Sequence, residues 1–96
     1  MTGVYRRGMP TIPEMDPDAE VDAESRWPVY VQIAGILAAR IREGRYQYDR
    51  PIPSEAQLQQ EFGVARATAR KGIRLLAEAG FVETVVGRGS YVVWRS

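Results

Sequence analysis

Within residues 66–74, Arg66, Arg70, Lys71 and Arg74 set four cations and no carboxylate on a short run otherwise made of Ala, Gly, Ile and Thr68. At about 100° per residue, Ala69, Gly72, Ile73 and Leu76 share one side of a helix, while Ala67, Arg70, Lys71 and Arg74 turn the other way. One side is fit for burial and the other for a polyanion. Arg66 and Arg70 stand one turn apart on nearly the same side, and an arginine fork matches guanine O6 and N7. Thr68 can donate to a phosphate or set its methyl beside thymine, whereas Lys71 and Arg74 suit the nucleic-acid backbone better than base edges. The competing reading is a solvated helix face, with Arg66 paired to Glu55 or Glu61.

Other chemistries have little to work with. Cysteine and histidine are both absent, which removes disulfides, thiolate metal sites, the cysteine nucleophile and the commonest metal ligand and general base. The acids are scattered over an arm and exposed faces rather than paired for general acid–base work. Gly87-Arg88-Gly89 lacks the following helix of a phosphate-binding loop. The expectation is a non-enzyme with no cofactor and no metal.

The formal charge of +1 hides two halves of opposite sign: residues 1–26 carry three arginines against six carboxylates, net −3, and residues 27–96 carry ten cations against six carboxylates, net +4. Acids stand where a signal peptide has its apolar run, and no apolar stretch reaches membrane-spanning length. The chain reads as soluble and cytoplasmic, associated with the nucleoid and not with a membrane. Residues 1–26, rich in Pro, Gly, Asp and Glu, read as a disordered acidic N-terminal arm, able to lie over the basic domain and compete with its polyanion.

The elements that position the cations follow from residue 27 onward. Pro28 suits the first turn of a helix, and Tyr30, Ile33, Ala34, Leu37 and Ile41 recur at helical spacing up to Gly44, placed as the residue that ends it. Pro51-Ile52-Pro53 is extended, with Ile52 as a short edge strand. Ser54 and Gln57 form a capping box, and Pro53 and Leu58 a hydrophobic staple, for a second helix ending at Phe62-Gly63. The cationic helix runs from about Arg66 to Ala79 and stops at Gly80. Residues 81–86 and 90–94 are two β-rich runs flanking Gly87-Arg88-Gly89, a hairpin signal. Tyr30, Ile33, Leu37, Leu58, Phe62, Ile73, Leu76 and Tyr91 are the expected core, and Trp27 and Trp94 flank it, to pack together, cover its open side or serve a partner. Two helices joined at Gly63 and Val64 are helix-turn-helix syntax.

This order resembles the winged-helix DNA-binding domain of the GntR family of bacterial transcription regulators. The resemblance runs from Pro28 to about Val93, through Pro28-Val-Tyr30-Val-Gln32-Ile33, Ile52-Pro-Ser-Glu55, Phe62-Gly-Val-Ala-Arg66-Ala-Thr68-Ala-Arg70, Leu76-Ala-Glu-Ala-Gly80 and Gly87-Arg-Gly89-Ser90-Tyr91. It implies a mainly α fold with a small antiparallel β-hairpin, a winged helix-turn-helix of three helices plus wing over residues 27–96. It further implies that the cationic helix enters the major groove and the hairpin lies against the minor groove. The family's recognition-helix arginines correspond to Arg66 and Arg70, its threonine to Thr68, and its wing-tip glycine and basic residue to Gly87 and Arg88. Gly89 flanks Arg88 on the other side, letting the turn run close to a sugar-phosphate wall. Ser54, Lys71 and Arg74 complete the expected DNA-binding set.

Two positions depart from the family pattern. Ala65 stands where Ser or Thr usually caps the helix and holds a phosphate, and Ala67 replaces a polar residue. The family's effector-binding, dimerising domain is also absent before Ser96, so the reading is a stand-alone module. The expected function is sequence-specific binding of double-stranded DNA in transcription regulation, as a homodimer on DNA or with a protein partner. The alternative is a winged helix used for protein interaction or as an architectural or accessory DNA binder.

Overall fold

The computed structural model describes residues 11–95. Three helices, α1 (Val29–Arg42), α2 (Glu55–Phe62) and α3 (Arg66–Glu78), precede two strands, β1 (Val82–Val85) and β2 (Gly89–Val92). This is the expected mainly α fold with a small antiparallel hairpin.

Pro28 stands one place before the first turn, as the N-cap of α1, where its carbonyl accepts the N–H groups of Val31 and Gln32. α1 closes at Gly44, whose N–H goes to Ile41 O while Arg45 N–H returns to Arg40 O. This pair of bonds satisfies carbonyls that a helix end otherwise leaves open. α3 closes in the same way, through Gly80 to Ala77 and Phe81 to Leu76. At the start of α2 both halves of the capping box form: Ser54 Oγ accepts Gln57 N–H at 3.1 Å and Gln57 Oε1 accepts Ser54 N–H at 2.8 Å. Gly63, left-handed at φ 65°, turns the chain from α2 toward α3.

The core lies where the helices meet the hairpin. Ile33, Leu37, Leu58 and Leu76 are fully buried and Ile73 nearly so, whereas Tyr30, Phe62 and Tyr91 are half-buried at its rim. Ile36, Phe81, Val82 and Val92 are also buried. The hairpin pairs Val82 with Val92, Glu83 with Tyr91, Thr84 with Ser90 and Val85 with Gly89. Gly89 therefore belongs to β2 rather than to the turn. The edge strand expected at Ile52 is reduced to a bridge between Pro51 and Tyr91, with Ile52 N–H donating to Ser90 O. Prolines on both sides of Ile52 supply no further N–H for a longer ladder. Trp94 stacks on Phe81 with ring centroids 5.9 Å apart, while Trp27 lies beside Arg26 at the start of α1.

Residues 11–26 depart from the expectation of disorder. They form an irregular strap along α1, and residues 1–10 of the expected arm lie outside the described residues. Asp16 Oδ1 accepts Asp18 N–H and Asp22 Oδ1 accepts Glu24 N–H, so acids that argue for disorder by composition instead close two local turns.

Candidate nucleic-acid interface

α3 beds its small side on α1. A Cβ at Gly72 would sit 3.1 Å from Ile33 Cγ2 and 3.2 Å from Tyr30 O, so the absent side chain sets how closely the two helices approach. Burying Ala69, Gly72, Ile73 and Leu76 leaves Arg66, Ala67, Arg70, Lys71 and Arg74 exposed, and Thr68 half-buried. Ala65 is an extended N-cap without a side-chain bond. Its carbonyl accepts the N–H groups of Thr68 and Ala69, and the Ala65 side chain does not cap the first turn.

Arg66 and Arg70 converge on one carboxylate. Glu55, in the first turn of α2, accepts Arg66 Nε on Oε1 at 3.0 Å and Arg70 Nε on Oε2 at 3.2 Å. The bonds from Arg70 and then Arg66 hold the Glu55 carboxyl below its ordinary range. Arg66 meets the acid through Nε, leaving the two terminal nitrogens of its fork for a ligand. Both arginine side chains remain more than half exposed, at 64% and 53%. Glu55 is outside the expected DNA-binding set, but its pairing with Arg66 is the competing reading of that arginine, and the structure forms the pair. The sharing of Glu55 with Arg70 is what the sequence does not signal.

The wing supplies the opposite wall. Thr84 and Ser90 hydroxyls, 3.0 Å apart, tie its strands together, and Arg88 N–H closes the turn on Val85 O. Gly87, Arg88 and Gly89 are exposed at the tip, with Val86 beside them. One open cleft of about 940 Å³ is lined by Ser54, Glu55, Arg66, Arg70 and Arg74 from the helices and by wing residues 84–90. Thr68 and Lys71 are outside it: the Lys71 ammonium lies 4.7 Å from the Tyr30 ring centroid, on the flank of α3 toward α1. The structure thus gathers Ser54, Arg66, Arg70, Arg74 and residues 87–89 on one concave surface and sets Lys71 to its side. Among the described residues, no helix is long and apolar enough to cross a membrane.

A family model described as bacterial regulatory proteins, gntR family, matches residues 29–92, more than half of the chain. The chain is similar to the HTH-type transcriptional repressor NagR of Bacillus subtilis (strain 168), 35% identical over 72 residues that make up 75% of this chain and 30% of the repressor. It is also similar to the mannosyl-D-glycerate transport/metabolism system repressor MngR of Escherichia coli (strain K12), 40% identical over 65 residues, 68% of this chain and 27% of that protein. The chain therefore spans no more than 30% of the length of these two curated relatives. Among solved structures, the DNA-binding domain of AraR in complex with operator ORR3 is 34% identical with a TM-score of 0.68, over 83% of this chain and 96% of that one. YtrA from Sulfolobus acidocaldarius, a GntR-family transcription factor, is 30% identical with a TM-score of 0.71, over 80% and 81%. Fold, helix order and sequence agree on a winged helix-turn-helix DNA-binding domain, and the chain belongs to the gntR family of bacterial regulatory proteins.

Proposed function

We propose that the chain binds double-stranded DNA at specific sequences and regulates transcription, with α3 in the major groove and the wing against the adjacent minor groove. The observation that carries this reading is the concave surface on which Arg66 and Arg70, aligned by Glu55, face Arg88 of the wing. A recognition helix offers its N-terminal residues to base edges, and Arg66 and Arg70 occupy the first turns of α3. Arg74 and Ser54 serve the phosphate backbone, Arg88 enters the minor groove between glycines, and Thr68 and Lys71 meet the flanking strand. The similar AraR DNA-binding domain, solved in complex with its operator, supports double-stranded DNA as the ligand.

One module of this size makes few base contacts, and non-specific binding at physiological salt is typically about 10⁻⁴ to 10⁻⁶ M. The chain therefore acts as a homodimer on a repeated half-site or beside a partner protein, in the cytoplasm at the nucleoid, and not as an enzyme. Residues 27–96 are the DNA-binding domain. Light scattering on a duplex carrying the recovered site gives two copies per duplex in the first case, and a 1:1 complex of nanomolar specific affinity overturns the dimer.

Sequencing genomic fragments retained by the purified protein tests the function itself. A sharp motif supports a regulator. Broad retention makes it an architectural or accessory DNA binder, and no retention makes the winged helix a protein-interaction module.

A further inference from the structure

The strap is seated on α1 by Gln32, Gly35 and Arg40. Gln32 on α1 is 2% exposed, yet its amide is satisfied by backbone before the helix: Oε1 accepts Asp22 N–H of the strap at 2.8 Å, and Nε2 donates to Asp22 O at 2.9 Å and to Trp27 O at 2.7 Å. Gly35 leaves room for the strap, since a Cβ there would lie 2.5 Å from Met15 Cγ and 2.7 Å from Pro13 O. Arg40, 8% exposed, donates from Nε to Pro17 O at 2.8 Å. Met15, Pro17, Ala19 and Val21 are half-buried, while the alternating Glu14, Asp16, Asp18, Glu20 and Asp22 face outward. Asp18 is held by a fork from Arg45.

Arg40 also reaches the DNA-binding machinery. Its two terminal nitrogens grip both oxygens of Glu61 at the end of α2, one of them shared with the Tyr46 hydroxyl, and its guanidinium lies 5.6 Å from the Phe62 ring centroid. One buried cation therefore ties the strap to the helix that carries Ser54 and Glu55 at its other end. Gly35 and Ile33 are about 200° apart around α1, and Ile33 is the residue against which α3 packs. At Gly35 the strap therefore lies on a side of α1 turned away from Ile33, and none of its described residues lines the cleft between α3 and the wing. From this position the acids of residues 14–24 do not overlie the recognition face.

We propose that residues 13–22 are a clamp on the helix-turn-helix: docked on α1, they fix Arg40, and Arg40 is a positioning residue that fixes α2 where its N-terminal Ser54 and Glu55 must meet α3 and DNA. The proposal rests on the DNA-binding reading for its consequence and on geometry for its mechanism. Removing the strap turns the Arg40 Nε to water and takes Asp22 from the Gln32 amide. The Glu61 side chain is already 41% exposed, so the ion pair then loses the burial of its arginine partner.

The test uses the full chain carrying Gly35→Ala or Arg40→Gln. Alanine at position 35 collides only with the strap and favours helix, so α1 and its contact with α3 are kept. In both variants the backbone amides of α2 should exchange with solvent about tenfold faster while those of buried α3 positions do not change. Both should also bind a random-sequence duplex several-fold more weakly at low salt. Unchanged α2 exchange in Gly35→Ala overturns the clamp, even where duplex binding falls, because a released acidic strap would then be acting as a competitor of DNA. Tighter duplex binding by either variant overturns it as well. Failure of the unmodified chain to bind the duplex strikes the DNA-binding reading instead and leaves α2 exchange to decide the clamp.

Discussion

Glu55 and Arg70 face each other across the junction of α2 and α3, with Arg70 Nε 3.2 Å from Glu55 Oε2 and Nη2 3.4 Å from Oε1. Arg66 reaches the same carboxylate from one turn earlier. Two side chains with many rotamers are thereby held side by side before DNA arrives, which lowers the ordering cost of binding. The acid also cancels one of their two charges.

Replacing Glu55 by Gln separates these two effects. Glu55→Gln should raise affinity for random-sequence duplex and steepen its salt dependence, because a repelling carboxylate is gone. It should also narrow the gap between specific and random sequence. Fluorescence anisotropy at several salt concentrations on both duplexes measures this, and an unchanged gap would show that the acid does not align the arginines.

The Glu55 carboxyl is held below its ordinary range by Arg70 and then Arg66, so its contribution to stability is fully present above the unfolded value of about 4.3 and is lost as pH falls through the lowered folded value. Its partners are largely solvated, so the contribution is at most about 1 kcal/mol. Urea unfolding of the wild type and Glu55→Gln should differ at pH 6, with the difference shrinking below about pH 4. A difference that grows on acidification would contradict the assignment.

On α3, Arg70→Ala should cost about 1–3 kcal/mol on a specific site and relax discrimination at one base pair. Arg74→Ala should instead weaken all sequences alike and reduce the salt slope by about one. Lys71→Ala should do less than either, since the Lys71 ammonium lies over Tyr30 beside the cleft. Competition binding against single-base variants of the recovered site ranks the three.

Ala65→Ser restores a cap to an α3 N-terminus that has no side-chain bond. It should stabilise the fold by about 1 kcal/mol, seen as a raised denaturation midpoint, and should tighten DNA binding by offering a hydroxyl to phosphate. Gain of stability without gain of affinity would place the α3 N-terminus away from the backbone.

The wing prediction concerns groove width. A narrow minor groove carries enhanced negative potential that attracts arginine, and Arg88 stands exposed at the wing tip between Gly87 and Gly89. Arg88→Ala should therefore lose more affinity for sites flanked by A-tracts than for sites flanked by G·C pairs. Equal losses would make Arg88 a simple phosphate contact.

Much of this molecule is local and therefore readable. The capping box of Ser54 and Gln57, the stops at Gly44 and Gly80, the hairpin and the two-faced cationic helix each depend on residues within a few positions of one another, where backbone bonding and a 3.6-residue period act. The strap was harder to read because composition argues for disorder, although its acids alternate with Met15, Pro17, Ala19 and Val21 in a period of two that betrays a buried side. Gln32, Gly35 and Arg40 look like ordinary positions on an amphipathic helix. Their roles appear only when Asp22, Met15, Pro17 and Glu61 come to meet them.

The sequence by itself determined the helix order, the faces of α3 and the cations available for a polyanion, because periodicity and charge are properties of neighbours along the chain. Tertiary structure alone decided that Arg66 and Arg70 share Glu55, that Lys71 leaves the cleft for Tyr30, and that Arg40 joins the strap to α2. Those pairings link residues from different elements, and the close approach of the strap to α1 at Gly35 and of α3 to α1 at Gly72 sets which side chains can reach one another.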